Sequence, residues 1–440
     1  MDETNVGLDT PDGKSEVLAS DKIGRVKGYL KKLIPILILV QIVDAYNSVV
    51  LENIGSKIII DFNISNSIYA LLISIVSIGM YFVFANQYFS DRFGRKPLLI
   101  TTVLGMSLCC LMLMFSTSIF DFAIYSLLLY FFFSSDIWLI FINEECRKDM
   151  KARASYGVLL GGLLGGALIS TILRRIIISE TAPASNWRFM MLYPIIIGFI
   201  ATILIIFFVD ETKIYQERKK ELRNREIRAK QNVKLLFQSK SKNQYLVILV
   251  IAFTAGLSRI TLLFTEPYLV EKLVEPGVST EAQISTLLTL TALSVIGGYF
   301  LTGFGGDLWG RKPLLIIYSL LMPLGTFILI GGANAGSYGI VLLGAALIFI
   351  AFWGLIGTIR IVTIELIPTE RRGTGSGLKS LFTAIGITTG LFLGSFLIYF
   401  AGESVEIPFI VLTIPCFINI PLVIKYIKET KHVDLAKVED

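Results

Sequence analysis

Charge is scarce in this chain. Of 440 residues only 17% are Asp, Glu, Lys or Arg, against about 25% in a soluble protein. There is one histidine, His432, and it lies in the C-terminal tail, so no imidazole can relay protons inside an apolar core. The four cysteines, Cys109, Cys110, Cys146 and Cys416, show neither metal-ligand nor disulfide spacing and read as small packing residues. No metal or cofactor is expected. A Walker loop is absent, which argues against direct drive by ATP, and no catalytic constellation is visible, so an enzyme is not expected. Residues 1–28 are polar and the apolar run after them is long, so no cleavable signal peptide is expected. What the chain has is apolar bulk: 54% hydrophobic residues and a mean hydropathy of +0.70. It reads as a membrane protein with the lipid bilayer as its surroundings. The net charge of +6 is accounted for below by topology, and no nucleic-acid partner is expected.

The second feature is a repeat. Asp91-Arg92-Phe93-Gly94-Arg95-Lys96-Pro97-Leu98-Leu99-Ile100 and Asp307-Leu308-Trp309-Gly310-Arg311-Lys312-Pro313-Leu314-Leu315-Ile316 agree at eight of ten positions and lie 216 residues apart. Each is a short charged turn between long apolar runs, so the chain reads as two copies of one unit. Here the sequence resembles the major facilitator superfamily of transporters. That family carries Gly-x-x-x-Asp-Arg-x-Gly-Arg-Arg/Lys between helices 2 and 3 and a weaker copy between helices 8 and 9. The second copy keeps the leading glycine as Gly303; the first has Gln87 there. Further repeats follow. Asp210-Glu211-Thr212-Lys213 matches Lys428-Glu429-Thr430-Lys431, and Glu144-Glu145 with Arg153 matches Glu365-x-x-Pro368-x-x-x-Arg372-Gly373. These endings look like the sugar-porter and neighbouring metabolite-transport branches.

Apolar runs of membrane-spanning length are read at 31–53, 67–89, 97–117, 120–143, 154–176 and 187–209, then at 244–265, 283–305, 313–332, 338–363, 375–400 and 406–427. The expected fold is all-α: 12 transmembrane helices in two pseudo-symmetric six-helix bundles. The expected domains are an N-terminal tail (1–28), a first bundle (29–209), a basic linker (210–243), a second bundle (244–427) and a C-terminal tail (428–440). The linker carries 11 basic and 5 acidic residues and reads as a solvated connector that also fixes topology. With both termini inside, cytoplasmic segments hold 32 of the 40 basic residues. Lys57, Arg174, Arg175, Arg188 and Lys272 lie outside, and Arg259, Arg360 and Lys379 within helices. The positive-inside rule selects that orientation, and a plasma-membrane location is expected.

The resemblance implies a cytoplasmic gate built from Asp91, Arg92, Gly94, Arg95, Glu145 and Arg153 in the first half. Asp307, Gly310, Arg311, Glu365 and Arg372 are its counterparts in the second. Asp91 closes helix 2 and, by resemblance, latches against helix 11; Glu145 and Glu365 exchange partners with Arg95 and Arg311. Glycines four apart, Gly157, Gly161 and Gly165 on helix 5 and Gly386, Gly390 and Gly394 on helix 11, read as close helix packing.

Charge deep in a span is costly, about 2.5–3.5 kcal/mol on insertion scales. Asp44, Asp136, Arg259 and Arg360 fall in helices 1, 4, 7 and 10, which line the central cavity of the resembled fold. An aspartate near the depth of Asp44 carries the proton in many symporters that the chain resembles. Asp44 and Asp136 are therefore the expected proton-coupling acids. Arg259 and Arg360 are the expected substrate ligands, because a guanidinium grips a carboxylate or phosphate with two parallel hydrogen bonds. Asp44 and Arg259 are expected to face one another. Asn47, Tyr46, Trp138, Tyr299 and Trp353 stand near these charges as further substrate contacts. Arg360 also has a structural reading, snorkelling to the inner surface.

The expected function is a secondary active transporter, a proton-coupled symporter of a small organic anion or phosphate working by alternating access as a monomer. The alternative is a proton-coupled sugar or polyol symporter. It is weakened because helix 5 has no Gln or Asn and helix 7 only Gln244. A non-transporting receptor or scaffold is the third reading. Helix 5 lacks the Gly-Pro pair of antiporter branches, which disfavours drug export.

Overall fold

In a computed structural model of the chain, the described residues are 27–82, 93–133, 137–146, 148–212, 241–367 and 372–430. Among them there is no strand. Eleven helices are long and apolar enough to cross a bilayer, and a bent pair makes twelve if counted as one span. We number them α1 (Gly28–Asn53), α2 (Asn66–Phe82), α3 (Arg95–Met114), α4 (Ile119–Ile142), α5 (Ala154–Ile177), α6 (Ala184–Phe208), α7 (Lys242–Val274), α8 (Glu281–Trp309), α9 (Arg311–Asn334), α10 (Tyr338–Leu366), α11 (Thr374–Phe400) and α12 (Glu406–Tyr426). A short helix, Gly55–Asp61, precedes α2 at an angle of 111°; hydropathy reads that stretch as a loop.

The packing repeats between halves as the sequence does. In the first half α1 packs on α5 and α6, α3 on α4 and α6, and α2 on α4; in the second half α7 packs on α11 and α12, α9 on α10 and α12, and α8 on α10. Between halves the main contacts are α2 with α11, α5 with α8, and α1 with α7. Glycine makes the closest of these possible. On α5, a Cβ at Gly166 would stand 2.5 Å from the Ile42 carbonyl oxygen of α1. On α11, one at Gly390 would stand 2.6 Å from the Leu257 carbonyl oxygen of α7. Gly157, read as part of the same row, faces no neighbour. The Gly390→Ala variant is accordingly expected to lose about 1–3 kcal/mol through overpacking, seen as a lower midpoint of thermal denaturation in detergent, whereas Gly157→Ala leaves it unchanged.

Charged turns put Arg95 and Arg311 on one face of the molecule, the hairpin face; the opposite side is the far face. The apolar core differs between them. Toward the far face one cluster joins residues of both halves, such as Val43, Tyr69 and Trp187 with Ile260, Leu288 and Phe409. Toward the hairpin face there are two clusters, one around Leu33, Phe141 and Ile205 and the other around Ile248, Tyr318 and Ile359, each confined to its own half.

Several spans run longer than hydropathy suggests. Helix 7 is the largest correction: it was expected to stop at 265, but it continues through Glu266 and Pro267 to Val274. Proline is tolerated in a span when neighbouring groups satisfy the freed backbone, and the Glu266 charge has a buried partner, described below.

Candidate functional site

Arg259 is a charge at the seam of the two halves. The regular helix of α7 breaks at Ser258, and Arg259 starts the next stretch, Arg259–Leu269. Its guanidinium crosses to α1, where it forms an ion pair with Glu52 and donates to the Ser48 carbonyl oxygen at 3.2 Å. Its central carbon lies over the rings of Phe352 and Trp353 on α10, 5.2 and 5.6 Å from their centroids. Arg259 and Glu52 side chains are only 12% and 6% exposed, so the pair is held away from bulk solvent yet lies between elements of different halves. A guanidinium in that setting has one carboxylate that another carboxylate can replace, and aromatic faces on which a planar group can stack.

Glu52 was not singled out by sequence reasoning, which expected Asp44 opposite Arg259. Asp44 lies eight residues earlier on α1, about 12 Å along the axis. It is half-buried and accepts from the Gln41 amide at 3.5 Å. Trp353 and Tyr299 do come together, with ring centroids 6.3 Å apart. Arg360 is half-buried seven residues beyond Trp353 on α10. Tyr46 and Trp138 are placed elsewhere than expected. Tyr46 is fully buried, donates to the Met190 carbonyl at 2.8 Å and packs on Tyr193 inside the first half. Trp138 belongs to the apolar cluster with Phe141 and Ile142. Both follow from α1 and α4 rotating their bulkiest apolar faces toward their own bundle. Asn47 is also buried there; its carbonyl oxygen accepts from the Cys110 thiol at 3.2 Å. Asp136 lies outside the described residues.

On the hairpin face the two halves build the same device. Gly94 and Gly310 have φ of +110° and +98°, a region side chains rarely adopt. The turn they make aims two backbone N–H groups at one carboxylate. Glu211 accepts from Arg95 N at 3.0 Å and Lys96 N at 3.2 Å; Glu429 accepts from Arg311 N at 2.8 Å and Lys312 N at 3.1 Å. The lysines then reach the ends of the sixth and twelfth helices, Lys96 to the Ile206 carbonyl at 3.0 Å and Lys312 to that of Ile424 at 2.9 Å. Arg311 pairs with Glu365 at 3.1 Å and with Asp307 at 3.0 Å. Arg95 pairs with Glu144 at 3.2 Å, one residue before the expected Glu145, which is itself buried. Each of these pairs lies within one half. Asp91 and Arg92 are outside the described residues, as are the side chains of Arg153 and Arg372.

The far face is different, because a buried cluster of its bonds crosses between halves. Arg174 of α5 is fully buried. It donates to Glu266 of α7 at 2.5 Å, to Glu281 and Ser285 of α8 at 2.9 and 2.6 Å, and to the Asn53 carbonyl at 2.7 Å. Glu266 also accepts from the Ser56 N–H at 2.8 Å and the Ser56 hydroxyl at 2.6 Å, and Lys57 pairs with Glu281 at 2.6 Å. At the mouth of α2, Glu403 repeats that grip on Ser67, accepting from its N–H at 2.8 Å and its hydroxyl at 2.6 Å. None of Glu266, Glu281 or Glu403 was read as functional from the sequence, and Arg174 was read only as an outer flank. One signal was present: Glu52 and Glu266 are 214 positions apart, close to the repeat spacing.

Comparison with known proteins fits this architecture. A stretch of 88 residues is 35% identical to the MFS-type efflux transporter ffsH of Aspergillus flavipes, but the match spans only 15% of that protein's length and 20% of this chain. NiaP of Bacillus subtilis (strain 168), named for niacin and nicotinamide transport, is 25% identical over 92% of this chain and 98% of its own length. Among solved structures, a D-xylose-proton symporter superposes with a TM-score of 0.74 at 17% identity, covering 92% of this chain and 99% of that one; at that identity the likeness is one of fold. A sequence model described as Major Facilitator Superfamily matches residues 37–273 and 248–439. The paired bundles, the twin glycine turns and this match over nearly the whole chain agree, and the chain belongs to the Major Facilitator Superfamily of transporters.

Proposed function

We propose that the chain is a secondary active transporter that carries a small organic carboxylate together with a proton, by alternating access. The observation that carries this reading is Arg259. It is a cation at the seam of the halves, over the rings of Phe352 and Trp353 and paired with the carboxylate of Glu52. A substrate carboxylate displaces Glu52 and its planar body stacks on Phe352 or Trp353. Niacin has that chemistry, a carboxylate on an aromatic ring, and a full-length relative is named for its transport. The hairpin face is the cytoplasmic one, by the distribution of Lys and Arg. With the halves bonded to each other across the far face and each core confined to its own half below, the conformation is closed to the outside.

Asp44 is the acid we assign to the proton; Arg360 and Tyr299 line the route toward the cytoplasm. The test is uptake into proteoliposomes of a panel spanning aromatic and aliphatic monocarboxylates, phosphate and sugars, with and without an imposed pH gradient. Accumulation of a monocarboxylate driven by the gradient supports the reading; accumulation of sugars alone replaces it with the sugar-symporter alternative. In the Asp44→Asn variant, uphill accumulation is expected to disappear while substrate exchange persists. Normal uphill uptake in that variant removes Asp44 from the role.

A further inference from the structure

We infer that Glu266 and Glu403 are the positioning residues of an outer gate, two like clasps that close the far face by gripping Ser56 and Ser67 of the other half. The inference rests on the alternating-access reading, and its test is read without any substrate.

Three observations converge on it. First, the two clasps have one geometry. In each, a glutamate of the second half accepts from both the N–H and the hydroxyl of one serine of the first half, at 2.8 and 2.6 Å. A carboxylate gripped at two points by the same residue fixes both distance and direction, and its bonds are of the stronger, charge-assisted kind. Second, the carboxylates of the clasps and of the Arg174 cluster all face the same way, opposite to the Arg259–Glu52 pair. The acceptors Glu266, Glu281 and Glu403 belong to the second half, and their donors, Ser56, Lys57, Ser67 and Arg174, to the first. Donors and acceptors sorted in this way match only when the halves meet in one register. Third, beneath the Glu403 clasp α2 and α11 meet through hydroxyl contacts: Ser395 to the Ser67 carbonyl at 2.9 Å and Ser77 with Thr388 at 2.7 Å. Neutral bonds of that sort exchange for water at little net cost. Between α2 and α11 the charged grip at the rim is therefore the contact whose loss opens the face.

The hairpin-face carboxylates supply the contrast. Glu211 and Glu429 make the same two-point grip on backbone N–H groups, but within one half. Those grips survive a movement of one half against the other; the outer ones do not. The far-face pairs Arg188–Asp61 and Lys272–Glu406 also lie within single halves, which makes them the controls.

The experiment uses the full chain with its four buried cysteines replaced and Ser74→Cys introduced. Ser74 is 2% exposed and lies on α2 below the Ser67 clasp, so a membrane-impermeant maleimide applied from the far face reaches it only when that face opens. Glu403→Gln and Ser67→Ala are each expected to raise the labelling rate about tenfold or more. Glu266→Gln and Ser56→Ala act alike through the second clasp, and the serine variants keep the test open if Glu266→Gln fails to fold. Asp61→Asn and Glu406→Gln are expected to leave the rate unchanged. Unchanged labelling in both serine variants overturns the inference, and so does an equal rise in the two controls.

Discussion

Replacing Arg259 by lysine is expected to lower the transport efficiency for an anionic substrate by about tenfold or more, and replacement by alanine by about a hundredfold or more. The lysine keeps the charge but loses the fork that holds two oxygens at once. It also loses the planar cation that now sits over the rings of Phe352 and Trp353. Alanine leaves Glu52, a side chain only 6% exposed, without its counter-charge, and an orphaned buried charge costs about 3–5 kcal/mol. The companion variant has the opposite sign. Glu52→Gln removes the carboxylate that competes with the substrate, so the apparent affinity for the anion is expected to rise while turnover falls, because the substrate no longer has a partner to hand Arg259 back to. Initial rates over a range of substrate concentrations separate the two effects. If both Arg259 variants keep the parental apparent affinity, Arg259 does not touch the cargo and the substrate is not an anion bound at this place.

The second large effect concerns the fold. Arg174→Met is expected to destabilise the protein by about 3–5 kcal/mol, read as a lowered midpoint of thermal denaturation in detergent. Arg174 is fully buried and its donors are spread over Asn53, Glu266, Glu281 and Ser285. Methionine fills the volume and supplies none of them. Lys57 still reaches Glu281 at 2.6 Å, but Glu266, which is wholly buried, keeps only the Ser56 donors. Adding Glu266→Gln to Arg174→Met removes the uncompensated charge and is expected to recover part of the loss. A double variant no better than the single one would show that the cost is packing rather than charge.

These two arginines show what could be read in the chain and what could not. The doubled turn around Gly94 and Gly310 was legible because it needs a fixed set of residues at fixed spacing, and the structure shows both glycines at positive φ. The glycine rows of α5 and α11 were legible for the same reason: small side chains at one spacing let backbones meet. Arg259 stood out as a charge inside an apolar run. Arg174, Glu52 and Glu266 did not, because each sits near the end of such a run, where polarity ordinarily marks the arrival of water. Here the far ends of α1, α5 and α7 are covered by protein from the other half. Nothing in the local pattern records that cover, so hydropathy ends helix 7 at 265 although the helix continues to Val274. Tyr46 and Trp138 were placed at the seam by proximity in sequence to charged neighbours; helical rotation turns them inward. Asp136 and Asp91 fall outside the described residues.

The twin fastening by Glu211 and Glu429 has a mechanical consequence. In each half the residue just past the last helix ties down the start of the third, through the same pair of backbone nitrogens and with a lysine returning the grip. A bond that closes a half upon itself owes nothing to the other half. Each six-helix half therefore carries its own buckle, and can swing as a stiff lever without its ends coming undone.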